Sequence, residues 1–350
     1  MVKKKVLYIV EDKNTAQYRY RVQNVMEAVE SSDKYEVNFV LKNSLKKVDL
    51  DKINLVVVLR QTAKDRTVLD FMKKAQGRGI KVLFDLDDLI FDYLDLPTLM
   101  KTTNSKNVFY WVGYVWGIRR IAKKADGFIT TNDFLGKMLT RTFNKPYAVI
   151  PNSLNEAQVT AAERLLKEKA HDGFIVGYFS GSPTHAKDFQ MIEGQLIKFL
   201  NKYTDAKFLM VGYMNLSEEM SELVKTGKVK ILKLVNYMRL IELISGVDVN
   251  LAPLVLNDFT NSKSELKFFE AGVVETVTLA SPSYAFEKAI VDGENGFLAQ
   301  HNEWLSKLEY LYENPKERVK MAKAARKYAL ENYYGKMRYK QIEKAFTQFC

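Results

Sequence analysis

Asn261 to Gly272, NSKSELKFFEAG, follows an apolar run that ends in Ala252-Pro253. Lys263, Lys267 and Glu270 sit at i, i+4 and i+7, so a helix here puts all three on one face. Ser262 or Ser264 is placed to cap its start, where open backbone N–H groups and the positive end of the dipole favour an anion. Two ammonium groups, free N–H donors and a carboxylate one turn further suit a nucleoside diphosphate. The lysines would hold phosphates, and Glu270 would accept hydrogen bonds from a ribose diol. The same spacing also fits a solvated helix face with ordinary lysine–glutamate pairs.

A second anion-binding stretch is Ser180 to Asp188, SGSPTHAKD. Gly181 lets backbone N–H groups approach a phosphate, and Ser182, Thr184, His185 and Lys187 add donors. The spacing is not that of a mononucleotide P-loop, and a plain strand-to-helix turn capped by Thr184 or Asp188 fits it too. Phe84 to Asp92, FDLDDLIFD, holds four carboxylates, of which Asp85 or Asp88 could orient or deprotonate an acceptor hydroxyl. Arg19, Arg21 and Arg60 carry guanidinium forks suited to phosphate or carboxylate; pairing with the Asp85–Asp92 carboxylates is the competing use. Tyr110–Lys124 joins aromatic residues to a basic end, the composition of a segment lying on anionic lipid and equally of a buried helix with a snorkelling tail.

The elements that must position these residues alternate. Short apolar, mostly β-branched runs occur at Val6–Val10, Val37–Leu41, Leu55–Leu59, Val82–Leu86, Phe128–Thr131 and Ala148–Ile150, with helical patterns between them. After a polar connection over Pro151–Asp172 the pattern restarts at Phe174–Phe179, Lys207–Val211, Val229–Leu232, Val247–Leu251, Val277–Ala280 and Gly296–Leu298. Continuous apolar strands alternating with helices imply parallel sheets covered on both faces. The reading is an α/β chain of two doubly wound, Rossmann-like domains: residues 1–152, a linker at 153–172, a second domain at 173–332, and a final helix at 333–350. In such sheets ligands lie beyond the carboxyl ends of strands, which brings the loops above, with Pro151–Asn152, to one interdomain cleft.

Composition narrows the classes. The 350 residues carry a formal charge of +11, which attracts phosphate-bearing partners without choosing among them. No apolar run reaches the roughly 20 residues of a membrane span, and the basic start leads into a strand rather than a signal peptide. One cysteine, Cys350, excludes internal disulfides and a thiolate cluster. Three scattered histidines do not make a zinc site. Neither a G-x-S-x-G elbow nor an early G-x-G-x-x-G is present. A cytoplasmic protein follows, with no nucleic-acid motif.

Together these residues resemble a retaining glycosyltransferase of the GT-B fold, of the group 1-like type found in bacterial cell-envelope and surface-polysaccharide synthesis. The resemblance rests on Lys263-Ser264-x-x-Lys267-x-x-Glu270, the strand and turn Leu279–Pro282, the Asp292–Phe297 turn, and Ile150-Pro151-Asn152-Ser153. It implies two sheets facing a cleft and a C-terminal helix crossing back to the first domain. It also implies a nucleotide diphosphate sugar (UDP-, GDP- or dTDP-linked) as co-substrate, with a glycan, lipid-linked or protein-linked acceptor. Lys187, Lys263, Lys267, Asp88 and His185 would serve catalysis. Gly181, Ser182, Thr184, Ser264, Glu270 and Asn152 would hold the donor, and Arg19, Arg21, Arg60 and Asp85 would face the acceptor. No metal is required on this reading, and an anionic membrane surface and an oligomer are possible partners. The family's first paired glutamate is Ser262 here, with Glu265 as a candidate replacement. The arginine usual after the first glycine of the phosphate loop is Ser182. Two rivals remain: a non-catalytic subunit that binds nucleotide sugar or anionic glycan, and a metal-dependent transferase built on Asp85-x-Asp87.

Overall fold

The computed structural model describes residues 2–63, 66–102, 105–168, 173–181, 186–212 and 216–350. Among these residues twelve strands form two six-stranded sheets, parallel throughout. The first holds β1 (Lys4–Val10), β2 (Tyr35–Leu41), β3 (Leu55–Leu59), β4 (Lys81–Leu86), β5 (Gly127–Thr130) and β6 (Tyr147–Val149), in the order β2-β1-β3-β4-β5-β6. The second holds β7 (Phe174–Ser180), β8 (Ala206–Gly212), β9 (Val229–Leu232), β10 (Val249–Ala252), β11 (Val277–Ala280) and β12 (Phe297–Leu298), in the order β12-β11-β10-β7-β8-β9. Every residue of β3, β5, β10 and β11 is buried. Helices on both faces strip water from both sides of a strand, so these runs are apolar without alternation. All twelve expected strands are present, within two or three residues at their ends.

Each sheet reverses its winding at one point, between β1 and β3 in the first and between β7 and β10 in the second. A crevice opens beyond the carboxyl ends of strands at such a reversal. The polar connection after Pro151 is largely helical, at Glu156–Glu168, with Gln158, Val159, Ala161 and Ala162 buried. The alanines leave room for close packing on the helix Tyr237–Ser245.

The chain then returns. The helix Pro315–Tyr333 packs on the helix Leu266–Val273. Gly335, at φ 61°, turns the backbone into a last helix, Gly335–Thr347. Ile342, Ala345 and Phe346 of that helix bury against Val6, Tyr8 and Val25 of the first domain. Arg338 donates to the carbonyls of Asn24 and Leu154, and Tyr35 Oη lies 2.9 Å from Thr347 Oγ1. The crossing helix therefore ties the chain's end to its beginning.

Candidate active site

Both reversals open into cavities. The larger constellation surrounds a cavity of about 340 Å³ at the β7/β10 reversal. Ser180 and Gly181 reach it from the end of β7, and Ala252, Pro253 and Leu254 from the end of β10. Val211, Leu234, Val235, Leu240 and Ile244 form an apolar wall; Lys263, Ser264, Lys267 and Glu270 form a polar one. The first domain closes the top with Arg19, Tyr20, Asp87, Asp88 and Asn152. A second cavity of about 390 Å³ lies at the β1/β3 reversal, lined by Glu11, Asp12, Thr15, Gln17, Arg60 and Tyr114 among others.

The helix behind the polar wall starts later than the spacing implies. It runs Leu266–Val273, with Glu265 at its cap position and no side-chain cap. A short turn, Asp258–Asn261, precedes it, so Lys263 lies in the connecting loop and not on the helix. Neither Ser262 nor Ser264 caps this helix. Ser262 Oγ accepts from Leu89 N at 3.2 Å and donates to the Phe259 carbonyl. Ser264 Oγ accepts from Asn152 Nδ2 at 2.9 Å. Asn132 Nδ2 adds bonds of 3.1 Å to the carbonyls of both Ser262 and Lys263. Three residues of the first domain thus hold the loop that carries Lys263.

Lys267 is the electrostatic anomaly of the site. Its Nζ is buried without a hydrogen-bond partner, 4.7 Å from the Tyr178 ring centroid. Burial lowers its pKa to about 8, against the opposing pull of Asp188 and Glu270. A buried ammonium without a partner is costly, and such groups concentrate where a ligand supplies the missing charge. Lys263 Nζ lies 3.8 Å from Asp88 Oδ1. Arg60 Nη1 binds Asp87 Oδ1 at 2.8 Å and Asp88 Oδ2 at 2.6 Å, so a guanidinium–carboxylate cluster forms the wall between the two cavities. Arg60 itself holds a φ of 20°, strained backbone of the kind found at functional positions.

Glu270 faces the cavity but is largely enclosed. Tyr20 Oη and Gln158 Nε2 (3.1 Å) both donate to its Oε1, and Arg19 Nη2 lies 3.9 Å from the same atom. Burial raises its pKa, partly offset by Arg19 and by the Tyr20 and Gln158 bonds. Arg19 is stacked between the Tyr20 ring at 4.4 Å and the Tyr237 ring at 4.2 Å, spanning the cleft. Arg19 and Tyr20 project from a π-helical turn, Arg19–Gln23, an irregularity that often marks functional segments.

Several expected site residues are elsewhere. Asp85 is fully buried and binds Arg21 at two points, Nε–Oδ1 2.9 Å and Nη2–Oδ2 3.1 Å. Neither lines either of these two cavities; the pair is a strut. Arg21 also donates to the Ile150 carbonyl and to Asn152 Oδ1, anchoring the turn between the domains. Burial lifts Asp85 to a pKa of about 6 despite Arg21. Lys187 turns away, donating to the Lys101 carbonyl at 2.9 Å. Glu265 does not replace the missing glutamate: it is buried beside Tyr333, which binds its carboxylate, and does not line the cavity. Ser182, Thr184 and His185 lie outside the described residues. Lys263, Lys267, Glu270, Ser264, Gly181, Asn152, Arg19 and Asp88 are brought together, and Arg60 stands beside them.

Sequence reasoning missed Asn132, Gln158 and Asn250. Asn250 Nδ2 bonds to the Lys267 carbonyl at 3.0 Å and to Thr278 Oγ1 at 3.2 Å, steadying the helix from inside β10. A polar residue in an apolar strand was its signal. Among the described residues no group of three or more histidine, cysteine or acidic side chains is arranged to hold a metal, and no helix is long and apolar enough to cross a membrane.

Residues 193–344 match the model of the glycosyl transferase-like family. No curated protein sequence matches the chain. Solved structures match it almost end to end. HepE of Anabaena, solved with UDP and glucose, is 13% identical, covers 99% of this chain and 100% of its own, and gives a TM-score of 0.65. A sucrose-phosphate synthase from Thermosynechococcus elongatus is 13% identical over 99% of this chain and 99% of its own, with a TM-score of 0.67. A glycosyltransferase from Rickettsia africae gives the same identity and TM-score over 99% and 98%. At these identities the likeness speaks for the fold.

Proposed function

We propose that this chain, a group 1-like glycosyltransferase of the GT-B fold by its family match and its architecture, moves a sugar from a nucleoside diphosphate sugar to an acceptor hydroxyl with retention. The observation that carries this reading is Lys267: a buried, unpartnered ammonium in the wall of a cavity at the winding reversal. A diphosphate supplies the charge it lacks. HepE has been solved with UDP-glucose, which favours a uridine donor here over GDP- or dTDP-linked sugars.

In this reading the base lies along the apolar wall of Val211, Leu234 and Val235. The ribose diol meets Glu270, and the diphosphate meets Lys267, Lys263 and the backbone N–H groups at Gly181. The bond from the anomeric carbon to the phosphate oxygen breaks as the bond to the acceptor oxygen forms on the same face. The acceptor proton passes to the departing β-phosphate, since among the described residues no carboxylate stands ready as a covalent nucleophile: the place of the family's first glutamate is Ser262, consumed in the domain contact. The protein's share is then electrostatic stabilisation of the leaving diphosphate. Asp88, between Arg60 and Lys263, stands where an acceptor from the second cavity would arrive. The acceptor is a glycan or a lipid- or protein-linked hydroxyl.

Metal independence accords with the donor set. Asp85 is neutralised by Arg21 and Asp87 by Arg60, so the Asp-x-Asp pair is spent on guanidinium groups rather than open to a cation. Full turnover in EDTA is the matching test. The decisive experiment pairs calorimetry of UDP binding with turnover of UDP-sugars by wild type and Lys267→Ala. Loss of both in the variant supports the assignment; unchanged turnover removes it. The Ser262 substitution favours one alternative, a nucleotide-sugar binding subunit without catalysis. Donor hydrolysis by the purified chain argues against that alternative.

A further inference from the structure

We infer that the outer face of the helix Val108–Lys124 docks on an anionic lipid bilayer. A helix packed on a domain ordinarily shows charge to water. The helix Asp133–Phe143 exposes Lys137 and Arg141, and the helix Thr67–Gln76 exposes Asp70, Lys73 and Lys74. Val108–Lys124 inverts this rule. It buries Val115, Ile118, Ile121 and Ala122 inward, yet its outward stripe begins with Phe109, Val112 and Trp116. Phe109 is 91% exposed and Trp116 50%. These positions recur at three- and four-residue intervals, so they form one stripe rather than scattered contacts. Contiguous exposed apolar surface of this kind marks an interaction site.

Charge decides the partner. The same stripe continues into Arg120, Lys123 and Lys124, and Lys101 and Lys106 flank its start. No acidic residue occurs from Ser105 to Lys124. Arg120 stacks on the Trp116 ring at 4.6 Å, joining the apolar and basic parts into one surface. Aromatic and aliphatic side chains that enter the headgroup boundary, framed by lysines that meet anionic lipid, are the chemistry of a bilayer surface. A second copy of this chain is the less suited partner, because two chains of net charge +11 repel one another. The helix is also tied to the site: its Tyr114 lines the cavity at the β1/β3 reversal and accepts from Arg60 Nε at 3.4 Å. An acceptor borne on lipid would then reach that cavity along this helix, a consequence that rests on the proposed transfer reaction; the docking itself does not.

Co-sedimentation tests it, using the full chain with phosphatidylcholine vesicles and with vesicles containing phosphatidylglycerol. We expect binding to the second and not the first. Phe109→Asp with Trp116→Asp, and separately Lys123→Glu with Lys124→Glu, should each lower vesicle binding at least about tenfold, with melting temperature and UDP affinity unchanged. No binding to anionic vesicles, equal binding to neutral ones, or variants that bind as wild type would each overturn the inference. So would a wild-type dimer in light scattering that the aromatic variant dissolves without any vesicle binding. UDP affinity in solution reports on the donor site alone, so failure here is distinct from failure of the proposed activity.

Discussion

Tyr20 of the first domain donates its phenol hydrogen to Oε1 of Glu270 in the second. Gln158 and Arg19 converge on the same oxygen, and among the described residues Oε2 receives none of these contacts. One oxygen is therefore fixed by protein and the other left to the cavity that Glu270 lines. Burial and the Glu270 charge hold the Tyr20 phenol well above its usual pKa, so it remains a donor. Donor binding and the approach of the two domains are linked through this one carboxylate.

Tyr20→Phe should therefore weaken UDP binding. A hydrogen bond to a charged group contributes about 1.5–3 kcal/mol, so the loss should be about tenfold or more. Calorimetry checks it, and tighter binding in the variant would show that Tyr20 competes with the ribose instead of orienting its acceptor.

Lys267→Met should separate function from stability. It removes a buried ammonium that has no partner in the free protein, so the melting temperature should rise. Turnover should fall a hundredfold or more, the cost of losing one donor to a developing oxyanion at about 3 kcal/mol. A lower melting temperature would mean the ammonium is satisfied in the fold.

The pH dependence follows from the same group. Folding lowers the Lys267 pKa from 10.5 to about 8. Between those values the unfolded chain holds a proton that the folded chain has released. The penalty is thus present below pH 8 and lifts as pH rises toward 10.5, so this lysine's contribution to stability increases with pH. UDP affinity should move the other way, falling above about pH 8 as the ammonium is lost. Lys267→Arg should flatten that fall, because a guanidinium keeps its charge. An affinity as steep in the arginine variant would assign the titration elsewhere.

Asp85→Asn tests the strut. It leaves Arg21 buried with half its partners, and breaking a buried pair typically costs about 3–5 kcal/mol. Denaturant unfolding should show that loss. Any fall in UDP affinity should be secondary, since neither residue touches the cavity. Native stability in this variant would reopen a direct role for Asp85.

What the chain's order of residues determined alone was the alternation of elements and the loops where chemistry must lie. Strands covered on both faces announce themselves as unbroken apolar runs, and ligands at their carboxyl ends follow from winding, which is local and repetitive. Lys263, Lys267 and Glu270 could be singled out because their spacing is local too. Which partner each charge takes was decided only by the tertiary structure. Asp85 found Arg21, Lys187 found the Lys101 carbonyl, Ser264 found Asn152, and Glu270 found Tyr20 across 250 residues of sequence. Those choices depend on how two separately wound halves face one another, and no spacing within either half carries that information.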